Sequence, residues 1–183
     1  FLVDLFGGRD SLLYTRLRDD LGLVYSAYAH QTFRWEAGMV VGYAGCQAAR
    51  TAEAIEESIG LMKGLHENVP AGRLESKRLD VLNSFVFNVD SPKDLVTVYG
   101  RYQLRGEPLD TLDRIQRDYL SATAAELESL AGSVLDPSVL QVFVVADGKT
   151  PAKDQQGTEV TLEQSLRGFA ERAGLPFVEI ELR

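Results

Sequence analysis

Arg16-Leu17-Arg18-Asp19-Asp20-Leu21-Gly22-Leu23-Val24-Tyr25-Ser26-Ala27-Tyr28-Ala29 reads as the end of a helix, a glycine stop and a strand that leaves at once. Leu12, Leu13 and Leu17 are spaced to share one helical face. Gly22 stands where a left-handed C-terminal cap belongs. From Leu23 onward the residues are β-branched, aromatic or small, which suits a pleated, half-buried surface. An arginine near a helix end and a tyrosine a few residues into the next strand are thus brought together.

Working outward, Leu2, Leu5 and Phe6 already keep helical spacing, so the chain reads as a piece of a longer polypeptide. Leu23–Gln31 and Ala37–Ala44 read as two strands joined by a Thr32–Glu36 hairpin loop. Gly42 and Gly45, near the second strand's end, mark a bulge or a close backbone approach. Ala48, Ala52, Ile55, Ile59, Met62 and Leu65 form one helical stripe. Gly60 and Gly64 weaken that helix and suggest that a neighbour comes close there. After Asn68–Gly72 a second helix carries Leu74, Val81, Leu82, Phe85 and Val89. Ser91-Pro92-Lys93-Asp94 has the form of a helix start. Gly106-Glu107-Pro108 turns the chain into a short amphipathic segment with Leu112, Ile115 and Tyr119. Thr123–Glu126 is a capping box, and the helix it opens ends at Asp136-Pro137.

Val139–Ala146 is apolar without alternation, the pattern of a strand buried on both faces. Thr150–Thr158 reads as a polar loop without a hydrophobic anchor. A second capping box, Thr161–Gln164, opens a last helix that Gly174 stops, and Val178, Ile180 and Leu182 alternate with Glu179 and Glu181 as a final strand. Strands early and late with helices between predict an α+β fold, a mixed or antiparallel sheet with helices packed on it, in a single domain over residues 1–183.

The chain has 183 residues, 45% hydrophobic and 25% charged, an ordinary globular composition. A net charge of −8 argues against nucleic acid or an anionic membrane as partner. No apolar run approaches the roughly 20 residues that span a bilayer. The sequence assigns no compartment: periplasm or cell envelope fits a bacterial protein, and cytoplasm is the alternative.

A complete active site is hard to find. The two histidines are His30 and His66. His66-Glu67 begins like a His-Glu-x-x-His zinc motif, but Pro70 stands where the second histidine is required. His30 is followed at the same spacing by Phe33 and Arg34, so no metal site forms locally. Cys46, near a helix start, could have a lowered pKa with His66 as base, but nothing pairs the two, and a small buried cysteine is the simpler reading. No nucleophile elbow, phosphate loop or dinucleotide fingerprint is present. Gly7-Gly8 points to tight packing or helix irregularity rather than phosphate binding.

Gly7-Gly8, Ser11-Leu12-Leu13-Tyr14, Leu17-Arg18-Asp19 and Gly22-Leu23-Val24-Tyr25-Ser26 together resemble the pitrilysin/insulinase family of zinc metallopeptidases. There a Gly-Gly, a Ser-Arg-Leu-Phe-like run and Leu-Arg-Glu-x-x-Gly-Leu-Ala-Tyr-Ser follow one another in the non-catalytic, "inactive" C-terminal domain. Gly106–Asp110, Ser121–Glu126 and Val142–Gly148 are similar to later turns of that domain. Leu12 replaces a frequent arginine and Asp19 a frequent glutamate. The resemblance implies the mitochondrial-processing-peptidase-like metallohydrolase fold, α+β with helices on one side of the sheet. It also implies two homologous halves, in one chain or two subunits, that enclose a chamber for a peptide or unfolded-protein substrate. One half holds zinc and a glutamate base, so zinc is expected in the missing N-terminal domain or the partner half, and no metal ligand here. The other half lends an arginine and a tyrosine that hold the peptide; Arg18 and Tyr25 match those positions. The same residues also have plain readings, a cation at a helix C-terminus and a strand aromatic. A structural or assembly protein on the same fold is the alternative function.

Overall fold

The computed structural model describes residues 1–33, 37–85 and 90–180. The element order is α1 (Leu2–Gly7), α2 (Leu12–Tyr14) with a π-helical continuation (Thr15–Asp20), β1 (Val24–Phe33), β2 (Gly38–Cys46) and a 3-10 turn (Ala48–Arg50). Five longer helices follow: α3 (Thr51–Glu67), α4 (Ala71–Phe85), α5 (Pro92–Leu104), α6 (Thr111–Ser121) and α7 (Ala124–Val134). A 3-10 turn (Pro137–Val139), the short pair β3 (Pro151–Lys153) and β4 (Glu159–Thr161), and α8 (Leu162–Ala173) complete the chain. Both sheets are antiparallel hairpins, β1 with β2 and β3 with β4. No helix among the described residues is long and apolar enough to cross a membrane.

The β1–β2 hairpin carries a buried and an open face. Ala27 and Ala29 point into the core, whereas Tyr28, His30, Met39 and Tyr43 are exposed. Tyr28 and Tyr43 are direct cross-strand partners with ring centres 5.2 Å apart, and His30 stacks on Tyr28 at 6.2 Å. Such pairs stiffen a ribbon that is two-stranded among the described residues. α1 lies directly on the buried face: a Cβ on Gly7 would overlap the Cβ and backbone nitrogen of Ala29. Gly7 is therefore a contact glycine, as tight packing requires.

The main core gathers Leu2, Leu5 and Phe6 of α1, Leu13 and Leu17, the hairpin's Ala27 and Ala29, and Leu127 and Ala131 of α7. α3 runs through the middle and serves two cores. Its Ala54, Met62 and Leu65 enter the main one, while Ala52, Ile55 and Ile59 face Ala152, Leu162, Leu166 and Phe169 near α8. The single stripe expected along this helix is thus two adjoining stripes, because α7 and α8 both pack on it and belong to different cores.

The helix-start and helix-stop signals fold as read. Ser91 caps α5 and Pro92 opens it, both capping boxes close at Thr123 and Thr161, and Gly174 ends α8 with φ +68°. The α+β architecture holds, with an antiparallel hairpin backed by helices on one face.

Four expectations are corrected. Residues 140–145 form no strand: the 3-10 turn precedes them and no described strand pairs with them, so Phe143 and Val145 stand 85% and 88% exposed. A run apolar on both faces is stable as a strand only between neighbours that take its hydrogen bonds, and the described residues supply none. Residues 175–180 are likewise irregular, for the same reason. The Thr150–Thr158 stretch is not an unanchored loop but part of the β3–β4 hairpin, pinned by buried Ala152. No described residue comes within 4 Å of where a Cβ would stand on Gly60 or Gly64, so neither glycine serves a close approach among the described residues. The Arg34–Glu36 loop, Val89 and Leu182 lie outside the described residues.

These contacts set opposite outcomes for two glycine substitutions. Gly7→Val should lower stability by roughly 1–3 kcal/mol through overpacking, and Gly60→Ala should raise it by roughly 0.5–1 kcal/mol. Urea unfolding of the two variants checks both signs.

A second expectation concerns Tyr119, whose hydroxyl donates to Asp4 Oδ2 at 3.3 Å and whose ring meets Phe1 edge-on. Burial, aided by the Asp4 charge, pushes its phenol up to about 12. An unfolded tyrosine titrates near 10. Folding therefore favours the neutral phenol; that stabilisation is whole below pH 10 and is lost as pH rises through about 12. Unfolding free energy measured from pH 9 to 12 should fall more steeply in the wild type than in Tyr119→Phe.

Candidate functional site

The helix–glycine–strand stretch folds with one departure from regular α geometry. Buried Ser11 caps α2, its Oγ accepting the Tyr14 N–H at 3.2 Å, and after Tyr14 the backbone widens into a π-helical turn. Leu17, fully buried, anchors that turn. Gly22 closes it at φ +59°, with Gly22 N–H donating to Arg18 O at 3.0 Å and Leu23 N–H to Leu17 O at 2.7 Å. Both spans are one residue longer than in the usual glycine cap of an α-helix. Arg50 donates to the Leu21 carbonyl at 3.2 Å, satisfying an acceptor that the helix end leaves open.

The strand that follows is bulged at its first turn. Val24 pairs with Cys46 and Ser26 with Gly45, so Tyr25 is the extra residue without a partner. The bulge resets the inward–outward alternation: Val24 and Ala27 both face the core, although they are three apart. It lies opposite Gly45, where a Cβ would stand 3.3 Å from Ser26 Oγ. The glycine signal near the end of β2 thus marks a real irregularity, carried by the partner strand.

Arg18 and Tyr25 meet across this turn. The guanidinium carbon of Arg18 lies 5.4 Å from the centre of the Tyr25 ring and 5.2 Å from that of Tyr14, within cation–π reach of both. Arg18 Nη1 also donates to the Tyr14 hydroxyl. Tyr25 is 82% exposed, and its hydroxyl makes no hydrogen bond among the described residues. Arg16, two residues earlier, is treated differently. Its Nε donates to Glu57 at 2.9 Å and its Nη1 lies 3.9 Å from Asp20; the Glu57 hydrogen bond first, and its charge next, raise the Arg16 pKa. Among the described residues no carboxylate forms an ion pair with Arg18. One arginine of the turn is neutralised against α3, and the other is held by rings with its charge uncompensated.

α4 steadies the same turn from below. Lys77, buried despite its charge, donates to the Arg9 carbonyl, and Arg73 reaches the Asp10 carbonyl at 3.5 Å and Thr15 Oγ1 at 3.4 Å.

The remaining candidates take structural places. His66 Nε2 lies 3.2 Å from the Leu135 carbonyl, which only accepts, so this nitrogen carries the proton and ties α3 to the end of α7. His30 is on the open face of the hairpin, and Cys46 Sγ sits 3.5 Å from Thr51 Oγ1 rather than beside a histidine. The described residues hold no group of three or more His, Cys, Asp or Glu that could bind a metal ion. The described residues therefore supply no ligand set for zinc. Sequence reading missed Tyr14 and Glu57. Tyr14 was within reach, since it precedes Arg18 by four, the spacing of neighbours on a helix face; Glu57 lies too far along the chain for any local pattern.

Fold and site define an α+β domain built on a bulged hairpin behind a widened helix turn. Residues 1–79 match the family model described as "Peptidase M16 inactive domain", which agrees with the resemblance to the pitrilysin/insulinase peptidases read from Gly7 to Ser26. It is 22% identical over 151 residues, 81% of its length, to "Uncharacterized zinc protease YmxG" of Bacillus subtilis (strain 168), and covers 36% of that protein. Two solved structures share the fold. One is a protease from Helicobacter pylori, with TM-score 0.64, 23% identity and coverage of 73% of this chain and 33% of that one. The other is a peptidase M16 inactive domain from Pseudomonas fluorescens, with TM-score 0.66, 17% identity and coverage of 73% and 32%. The chain spans about a third of the length of these relatives.

The left-handed Gly22 should be costly to replace. Nothing lies within 4 Å of a Cβ there, so Gly22→Ala is penalised by backbone strain alone, roughly 1–2 kcal/mol. Guanidinium unfolding of the variant measures it, and an unchanged midpoint would contradict the left-handed turn.

Proposed function

We propose that this chain is the C-terminal, non-catalytic domain of a zinc metallopeptidase, a single domain that walls the substrate chamber and offers Arg18 and Tyr25 to the peptide. The observation that carries the reading is the state of Arg18: exposed, charged, held by aromatic rings, and without a carboxylate among the described residues. A guanidinium has five N–H donors in a fixed fork. One is used on Tyr14, which leaves the others for a peptide carbonyl. The exposed phenol of Tyr25 is a second directional donor beside it. Together they suit a carbonyl oxygen on which charge grows during attack, because preorganised donors stabilise such charge most. The catalytic metal, on this reading, belongs to the homologous half, since the described residues offer no site for it.

A second reading, a scaffold or assembly subunit on the same fold, draws on the apolar yet exposed Phe143 and Val145. The two separate in one experiment on the complete protein. Arg18→Ala should lower kcat/KM for peptide hydrolysis at least tenfold, and Arg18→Lys, which keeps charge but loses the fork, should recover only part. Zinc content and the unfolding midpoint should stay at the wild-type values. Turnover unchanged by Arg18→Ala would end the substrate-contact role and leave the scaffold.

A further inference from the structure

We infer that Tyr14 is a positioning residue that holds the Arg18 guanidinium in the geometry a substrate carbonyl needs; the inference rests on the reading of Arg18 as a substrate contact. Three observations carry it. The Tyr14 backbone is fixed, since its N–H is bonded to the buried Ser11 and it is flanked by buried Leu13 and Leu17. Its ring centre lies 5.2 Å from the guanidinium carbon and its hydroxyl accepts from Arg18 Nη1, so a cation–π contact and a directional bond act on the same group. The other ring near Arg18, Tyr25, is 82% exposed and sits on a strand bulge. Of the two aromatics, Tyr14 is the rigid support and Tyr25 the open side.

An arginine side chain carries many rotamers, and each must be given up when it binds. A long cation that is already immobilised loses less on meeting a ligand. A carboxylate partner such as the one on Arg16 would also immobilise it, but would neutralise the charge that the substrate is to feel. An aromatic face with a phenolic acceptor holds the guanidinium without adding a formal charge. The π-helical widening sets the separation of Tyr14 and Arg18, and π segments recur where a helix must deliver a side chain to a functional place.

The test uses the complete peptidase with Tyr14→Phe, Tyr14→Leu, Arg18→Ala and the Tyr14→Leu/Arg18→Ala pair. The first readout is the ¹⁵N heteronuclear NOE of the Arg18 Nε–Hε group in metal-stripped protein, which is independent of turnover. Tyr14→Leu should drop it to the level of a freely rotating side chain, with Tyr14→Phe intermediate. The second readout is kcat/KM on an internally quenched peptide. Tyr14→Leu should cost about tenfold and Tyr14→Phe about threefold, consistent with losing a cation–π contact and a bond or the bond alone. In the Arg18→Ala background Tyr14→Leu should cost nothing more. An Arg18 NOE unmoved by Tyr14→Leu, or equal losses in both backgrounds, overturns the proposal. If Arg18→Ala leaves hydrolysis intact while Tyr14→Leu still frees the guanidinium, the clamp is upheld and the substrate-contact reading beneath it falls.

Discussion

The close approach of α1 to β1 is the constraint on which the rest depends. With no side chain on Gly7, the helix backbone rests on Ala29 itself. Small residues on both sides let the two elements approach until their backbones nearly touch. From there Leu2, Leu5 and Phe6 reach past the hairpin to α7 and α4. A helix of six residues cannot stand alone, because its nucleation cost is not recovered over so few hydrogen bonds. It exists here because its apolar side chains are shared between a sheet and two longer helices. The turn after it is then gripped by Lys77 and Arg73, which fixes where α2 and the π segment begin.

Two irregularities answer each other across Gly22. The helix is widened by one residue before the glycine and the strand gains one residue after it. Each alone would rotate its side chains out of phase with the core. Leu17 and Val24 are nonetheless both buried, while Arg18 and Tyr25, the residues beside them, both project outward. The pair meets because two departures from regular geometry are placed on either side of a left-handed turn.

Much of this was legible in the chain itself. Gly22, Gly174, the Ser91 cap and the capping boxes at Thr123 and Thr161 act through neighbours within a few residues, and all fold as read. The hairpin and its backing helices follow from the change of hydrophobic period after Leu23. What local pattern could not show is partnership at long range. Val139–Ala146 has the composition of a buried strand, but composition does not say whether a neighbouring strand is present to bond it. Gly7 and Gly60 look alike in sequence, yet one touches a backbone and the other faces open space. Arg18 and Tyr25, the proposed pair, stood out by their motif, whereas the difference between Arg16 and Arg18 depends on Glu57, placed by α3 forty-one positions away.

The π-helical turn has a consequence for how this surface tolerates change in length. It spends one residue more than an α-helix would to join Ser11 to Gly22. Removing a single residue between Thr15 and Leu17 would let the segment relax to α geometry with Ser11 and Gly22 still joined, and would bring Tyr14 from four residues before the arginine to three. The tyrosine and the arginine would both remain, but at a different spacing from the one that now joins hydroxyl and guanidinium. At this corner the count of residues, more than their identities, decides whether the arginine and its rings are within reach of one another.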